Sequence, residues 1–239
     1  MLLLDAGNSR CKWAHVENGV WLHQGVADNT GGMALQHDFA ALPAPARIIV
    51  SNVAGAEMEQ RLRTLCAGYP ATPEFIAARS EQCGVSNAYD NPASLGSDRW
   101  AALIAAWQRM RRACLVVNCG TATTVDALSD TGAFLGGLIL PGVTLMQQSL
   151  LHNTAQLADA KGRLQDFPRN TADAIYSGVM HATLGAIQHQ YALLKGKETA
   201  ACILSGGAAD QIQPHLGIPV LRVDNLVLEG LKIIGEASA

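Results

Sequence analysis

Leu2-Leu3-Leu4-Asp5-Ala6-Gly7-Asn8-Ser9 and Leu115-Val116-Val117-Asn118-Cys119-Gly120-Thr121-Ala122 are two versions of one pattern, set 113 residues apart. Each is a short apolar run, the mark of a buried strand, closed by Asp or Asn, a glycine and small polar residues. The register persists further along. Asn18-Gly19 is a strong hairpin signal between strands expected at Lys12–Glu17 and Val20–Gln24. Asp130-Thr131-Gly132 plays the same part between Thr123–Leu128 and Ala133–Ile139, and Gly19 again meets Gly132 at the same offset. With 23 glycines in the chain one match would carry no weight. Several matched features at one offset read as a duplication, which divides the chain into halves at 1–113 and 114–239.

The remaining segments alternate between strands and helices. Arg47–Val53 is an apolar strand, and Gly55–Ala67 has helical periodicity with Glu57, Glu59, Arg61 and Arg63 on the outside. Ser97–Ala113 places Trp100, Leu103, Ile104 and Trp107 at helical spacing and ends in Arg109, Arg111 and Arg112, a basic end suited to the negative helix C-terminus. The two tryptophans read as core or as a dimer interface. Pro141-Gly142 opens a helix through Leu151, with Met146, Gln147 and Gln148 in an orientation the sequence leaves open. A long Ala-rich helix at Ala172–Leu194, a buried strand at Cys202–Leu204 and a closing amphipathic helix at Asn225–Glu236 complete an α/β chain with antiparallel hairpins inside each half.

Composition narrows the functional classes. Hydrophobic residues make up 49% of the 239 positions and charged residues only 15%, which excludes a disordered chain. A net charge of −3 argues against nucleic-acid binding, since phosphate neutralisation needs clustered Lys and Arg. The lean charged surface predicts that part of it is covered, as by a second copy. The apolar opening Met1–Leu4 stops at Asp5, too short to span a membrane, and it lacks the basic leader of a signal peptide. Six cysteines without a CxxC pair read as reduced thiols in a cytoplasmic protein, and no HExxH points to zinc.

Three glycine turns carry the chemistry. In Asp5-x-Gly7-Asn8-Ser9-x-x-Lys12 a strand ends in a carboxylate, and a glycine lets the backbone approach phosphate oxygens. The carboxylate suits hydrated Mg²⁺, and Lys12 sits where its charge could meet phosphate. A polar hairpin loop is the equal alternative from these residues alone. Asn118-x-Gly120-Thr121-Ala122-Thr123-Thr124-x-Asp126 repeats the arrangement in the second half, and two such loops facing each other would grip a nucleotide. Ser205-Gly206-Gly207 follows a buried strand and is placed as an adenosine-contacting turn would be. Tyr89-Asp90-Asn91-Pro92 precedes Leu95-Gly96-Ser97-Asp98-Arg99, in which an acceptor stands beside a bidentate carboxylate binder; Ser97 or Asp98 reads equally as a helix cap.

Taken in order, these motifs, together with Gly136-Gly-x-x-x-Pro-Gly142 and Asn170-Thr171-x-x-Ala174-Ile175, resemble the type III pantothenate kinases from about residue 2 to 230. That resemblance implies a duplicated ribonuclease H-like, actin-like ATPase fold of two domains with mixed sheets flanked by helices. It implies transfer of the γ-phosphoryl of ATP to pantothenate, the first step of coenzyme A synthesis. Asp5, Ala6, Gly7, Asn8, Ser9 and Lys12 would form the first phosphate loop, with Asp5 near Mg²⁺ through water, and Thr121 would contact ATP. Asp98 would accept the proton of the pantothenate hydroxyl. Tyr89, Gly96, Ser97, Asp98 and Arg99 would line the pantothenate pocket, and Thr171 would reach it from the neighbouring subunit of a homodimer with composite sites.

One position departs from the family pattern. Asn118 stands where the family has Asp as ligand to a monovalent cation, K⁺ or NH₄⁺, and a neutral amide oxygen is the weaker ligand. The competing expectations are a catalytically silent nucleotide-sensing regulator on the same fold and a superfamily ATPase or phosphatase with another acceptor.

Overall fold

Three consecutive leucines begin the first strand because its position demands apolar residues on both faces: Leu2, Leu3 and Leu4 are all completely buried. The computed structural model describes residues 1–29, 32–40, 42–153, 162–194 and 200–238. In chain order the elements are β1 (Leu2–Ala6), β2 (Arg10–Glu17), β3 (Val20–Asp28), α1 (Gly32–Ala40), β4 (Ile48–Asn52), α2 (Ala56–Cys66) and β5 (Pro73–Phe75). There follow β6 (Glu81–Gln82), β7 (Val85–Asn87), α3 (Ser97–Met110), β8 (Cys114–Cys119), β9 (Ala122–Leu128), β10 (Ala133–Pro141) and α4 (Val143–Asn153). The chain closes with α5 (Thr171–Leu194), β11 (Ala201–Ser205), α6 (Ala209–Ile212), β12 (Val220–Arg222) and α7 (Leu226–Ala237). Two compact units result.

Unit 1 comprises residues 1–111, 132–134 and 225–239. Its sheet has the order β3-β2-β1-β4-β5, with β1 antiparallel to β2 and parallel to β4. Asn18 and Gly19 both take positive φ, 49° and 78°, the turn that matches the twist of a two-residue hairpin. Leu2, Leu4, Ile48 and Val50 pack with Leu35, Phe39, Met58 and Leu62 of the flanking helices. Trp100 is fully buried and donates from Nε1 to Gln82 Oε1 at 2.9 Å, and Trp107 is nearly sealed as well, so both belong to the core rather than to an exposed face.

Unit 2 comprises residues 112–131 and 135–224. Its strands lie in the order β10-β9-β8-β11-β12, with β8 antiparallel to β9 and parallel to β11. This is the unit 1 order repeated strand for strand, as the duplicated sequence pattern requires. The match has one irregularity. Asp5 faces Lys12 across β1 and β2, whereas Asn118 faces Thr124 across β8 and β9, so the second loop is one residue shorter. Leu115, Val117, Cys202 and Leu204 pack with Met180, Leu184 and Ile187 of α5.

The units differ from the expected halves, 1–113 and 114–239, in a boundary two residues earlier and at two further places. Residues 132–134 belong to unit 1, where Ala133 and Phe134 pair in parallel with Ser86 and Asn87. The closing helix α7 also belongs there. It buries Leu226, Val227, Leu231 and Ile234, and its Glu229 accepts from Nε and Nη2 of Arg109, each at 2.6 Å. An amphipathic helix settles where an apolar surface awaits it, which linear position does not decide. Among the described residues no helix is long and apolar enough to cross a membrane.

Candidate functional site

The first phosphate loop is closed by its own backbone, the Gly7 N–H donating to the Arg10 carbonyl at 3.0 Å. Asn29, at the end of β3, holds it from outside. Its Nδ2 donates to the carbonyls of Gly7 at 2.7 Å and Asn8 at 2.8 Å, and its N–H donates to the Ser9 carbonyl at 3.0 Å. Arg61 of α2 donates in turn to the Asn29 carbonyl. Neither residue carries a functional signal in the sequence, whose periodicity puts Arg61 on the outside of its helix. Arg61 instead lies at the margin of the buried face formed by Met58, Leu62 and Cys66, and turns towards the loop.

Asp5 stands at the C-terminal end of β1, flanked in register by Lys12 on one side and Ser51 on the other. Burial pushes its carboxyl up to about 7; the charge of Asp98 adds to the rise and Lys12 opposes it. The charges of Asp5 and Asp98 act on each other in a place that disfavours charge, and oxygen donors of this kind suit a hard cation such as Mg²⁺.

Asp98 belongs to the first turn of α3, preceded by Gly96 at the N-cap. Its Oδ1 accepts the Arg99 N–H at 2.7 Å. Burial raises its pKa, while the Arg99 N–H bond and the Arg99 charge work against the rise. Ser97, offered as a helix cap, instead shares a buried hydroxyl bond with Ser51 at 2.9 Å. A Cβ at Gly96 would lie 2.7 Å from Asp98 Oδ1, so the absence of a side chain at 96 makes room for the carboxylate.

Arg99 is buried, with its guanidinium carbon 5.9 Å from the Tyr89 ring centre and 5.7 Å from that of Phe134. Nη1 donates to the Tyr89 hydroxyl at 3.1 Å. The two rings pack at 5.2 Å. Phe134 escaped the sequence reading because its only signal is one apolar residue after a hairpin turn. Unit 1 thus brings together Asp5, Lys12, Tyr89, Gly96, Ser97, Asp98 and Arg99.

Unit 2 holds the second loop, closed by the Gly120 N–H on the Ala122 carbonyl at 3.0 Å. Gly142 seats its N–H on the Thr121 carbonyl at 2.8 Å, and a Cβ there would stand 2.2 Å from the Gly120 carbonyl oxygen. The Pro-Gly motif therefore supports the loop, and its helix begins only at Val143. The third turn presses on the same loop: the Ala208 N–H donates to the Cys119 carbonyl at 3.0 Å. Burial pushes the Cys119 thiol up to about 12, which removes it as a nucleophile at neutral pH. Asn118 faces Thr124 and Ser205 across the strands.

Thr171 is the exposed first residue of α5, and Asn170 caps that helix by accepting the Asp173 N–H at 2.9 Å. Thr171 lines a largely apolar cavity of about 510 Å³ between α4 and α5 with Met146, Leu150, Ile175 and Val179. Of the three side chains left open after the Pro-Gly turn, Met146 is the one that lines it.

A family model described as type III pantothenate kinase matches residues 1–193. The chain is 50% identical to a protein named type III pantothenate kinase from Nitrosospira multiformis, covering all of this chain and 92% of the relative. It is 48% identical to a protein of the same name from Aromatoleum aromaticum, over 100% of this chain and 99% of the relative. Among solved structures, a Sinorhizobium meliloti protein described as a candidate 2-dehydro-3-deoxygalactonokinase superposes with a TM-score of 0.66. That comparison spans 99% of this chain and 98% of the other at 16% identity, and it shows the fold alone: the actin-like ATPase fold of sugar kinases.

Proposed function

The chain belongs to the type III pantothenate kinase family, and we propose that Asp98, Arg99 and the two glycine loops perform its reaction in defined roles. The reaction itself is the ATP-dependent phosphorylation of pantothenate to 4′-phosphopantothenate in coenzyme A synthesis. The silent regulator on the same fold finds no support.

The observation that carries the assignment of roles is the Asp98 carboxylate, set over the first turn of α3 beside the buried Arg99. Phosphoryl transfer asks a protein mainly for positioning and charge neutralisation, because its transition state is loose. Asp98 orients the pantothenate hydroxyl and accepts its proton; Arg99, braced by Tyr89 and Phe134, takes the substrate carboxylate. Tyr89, Gly96 and Ser97 shape that pocket, and Thr171 of a second copy completes it in a homodimer. The loop from Asp5 to Lys12 and Thr121 hold the ATP phosphates. Asp5 would hold Mg²⁺ here, and the ion would neutralise phosphate charge. Asn118 is the residue that would meet a monovalent cation, as a weakened ligand. An enzyme of this pathway works in the cytoplasm.

A coupled assay with ATP and pantothenate tests the reading. The wild type forms phosphopantothenate, and Asp98→Asn loses most of kcat while still folding and binding ATP. Near-normal turnover in that variant would remove Asp98 from the role of base, and ATP hydrolysis without phosphopantothenate would identify a different acceptor.

A further inference from the structure

We propose that Asn29 and Arg61 form a strap that presets the first phosphate loop for ATP, Arg61 acting through Asn29. This rests on the reading of residues 5–12 as the ATP phosphate loop. Asn29 engages three consecutive carbonyls, those of Gly7, Asn8 and Ser9, through its side-chain amide and its backbone N–H. A glycine-containing loop can flip a peptide plane at little cost, and each flip would turn a carbonyl dipole towards a bound anion. Engaging all three carbonyls opposes that flip.

Arg61 extends the device into α2. Nη1 donates to the Asn29 carbonyl, so the guanidinium fixes the backbone from which the amide works. Arg61 reaches the strap from a helix that is otherwise anchored by Met58, Leu62 and Cys66, a rigid support for a flexible loop. Two further atoms of the pair lie in the same buried place. Asn29 Oδ1 and Arg61 Nη2 are buried and find no hydrogen-bond partner among the described residues. Leaving a buried polar group unsatisfied costs about 1–3 kcal/mol. Retaining them fits a geometry kept for binding, as local rules are broken most often at functional sites.

Both are positioning residues, so the test separates nucleotide binding from folding. Asn29→Ala and Arg61→Lys are compared with wild type for KM of each substrate and for the rise in Tm produced by Mg²⁺ with a non-hydrolysable ATP analogue. The expected result is a KM for ATP raised about tenfold in Asn29→Ala and about threefold or more in Arg61→Lys, as loss of one or two aligned hydrogen bonds predicts. KM for pantothenate stays within about twofold, and the analogue raises Tm less than in wild type. If Asn29→Ala does not fold, Asn29→Asp keeps the shape while setting a carboxylate against carbonyls, and the same rise in KM is expected. Unchanged KM for ATP and an undiminished Tm rise in Arg61→Lys and either Asn29 variant would overturn the strap. A wild-type protein whose Tm ignores the analogue would instead overturn the nucleotide-loop reading.

Discussion

Ser51 and Ser97 share a buried hydroxyl–hydroxyl bond of 2.9 Å that ties β4 to the first residue of α3. Ser51 is also the register partner of Asp5 on the neighbouring strand. The chain Asp5, Ser51, Ser97 therefore sets the strand carboxylate against the helix that carries Asp98. Removing one hydroxyl leaves the other unpaired in a dry place, at about 1–3 kcal/mol. Ser51→Ala and Ser97→Ala should each lower Tm by about 2–4 °C per kcal/mol lost, as for a chain of this size. The double variant should lose less than the sum of the two, as thermal melts of all three will show. Full additivity would mean that the hydroxyls do not act as a pair.

Gly96→Ala places a Cβ 2.7 Å from Asp98 Oδ1, and the carboxylate must move to make room. The backbone at 96, with φ −55° and ψ 137°, accepts any residue, so the clash is with the carboxylate and not with the main chain. A displacement of this kind at a reacting group costs about 100-fold in rate. Steady-state kinetics should show kcat falling by one to two orders of magnitude, roughly, with KM for ATP near its wild-type value.

Asp5 gives the protein a stability that depends on pH. Its carboxyl titrates at about 7 when folded, against an unfolded value of 3.8. An acid raised on folding destabilises the native state once ionised, so stability falls as pH climbs from about 4 and levels off above about 7. Asp5→Asn removes that cost. Melting curves between pH 5 and pH 8.5, without nucleotide or Mg²⁺, should show a flatter profile and a higher Tm at the alkaline end for the variant, together with loss of turnover. Equal pH slopes in the two proteins would mean that Asp5 keeps an ordinary pKa.

Asn118→Asp sets a charged oxygen at the position that the family resemblance assigns to a monovalent-cation ligand. Turnover measured with K⁺, NH₄⁺ and Na⁺ should depend on the ion more steeply in the variant than in the wild type, with half-saturation at a lower K⁺ concentration. Identical dependence in both would show that the amide oxygen serves as well as a carboxylate.

The sequence by itself determined the duplication, since an apolar run followed by Asp or Asn and glycine recurs at one offset, and both sheets obey it with the same strand order. It likewise offered Asp5, Asp98, Arg99 and the second loop as candidates: strand ends, glycine turns and helix starts leave local signatures that a polar hairpin or a helix cap shares, and the family resemblance chose between them. Only the tertiary structure could place α7 in unit 1, bring Phe134 against Arg99, turn Arg61 inward to Asn29 and settle Ser97 on Ser51 rather than on its own helix. Each of these joins residues at least 30 positions apart. The physical reason is common to all four. Local pattern records which face of an element is apolar and where it starts, whereas the identity of the partner across a gap depends on packing and on which buried polar groups need satisfying.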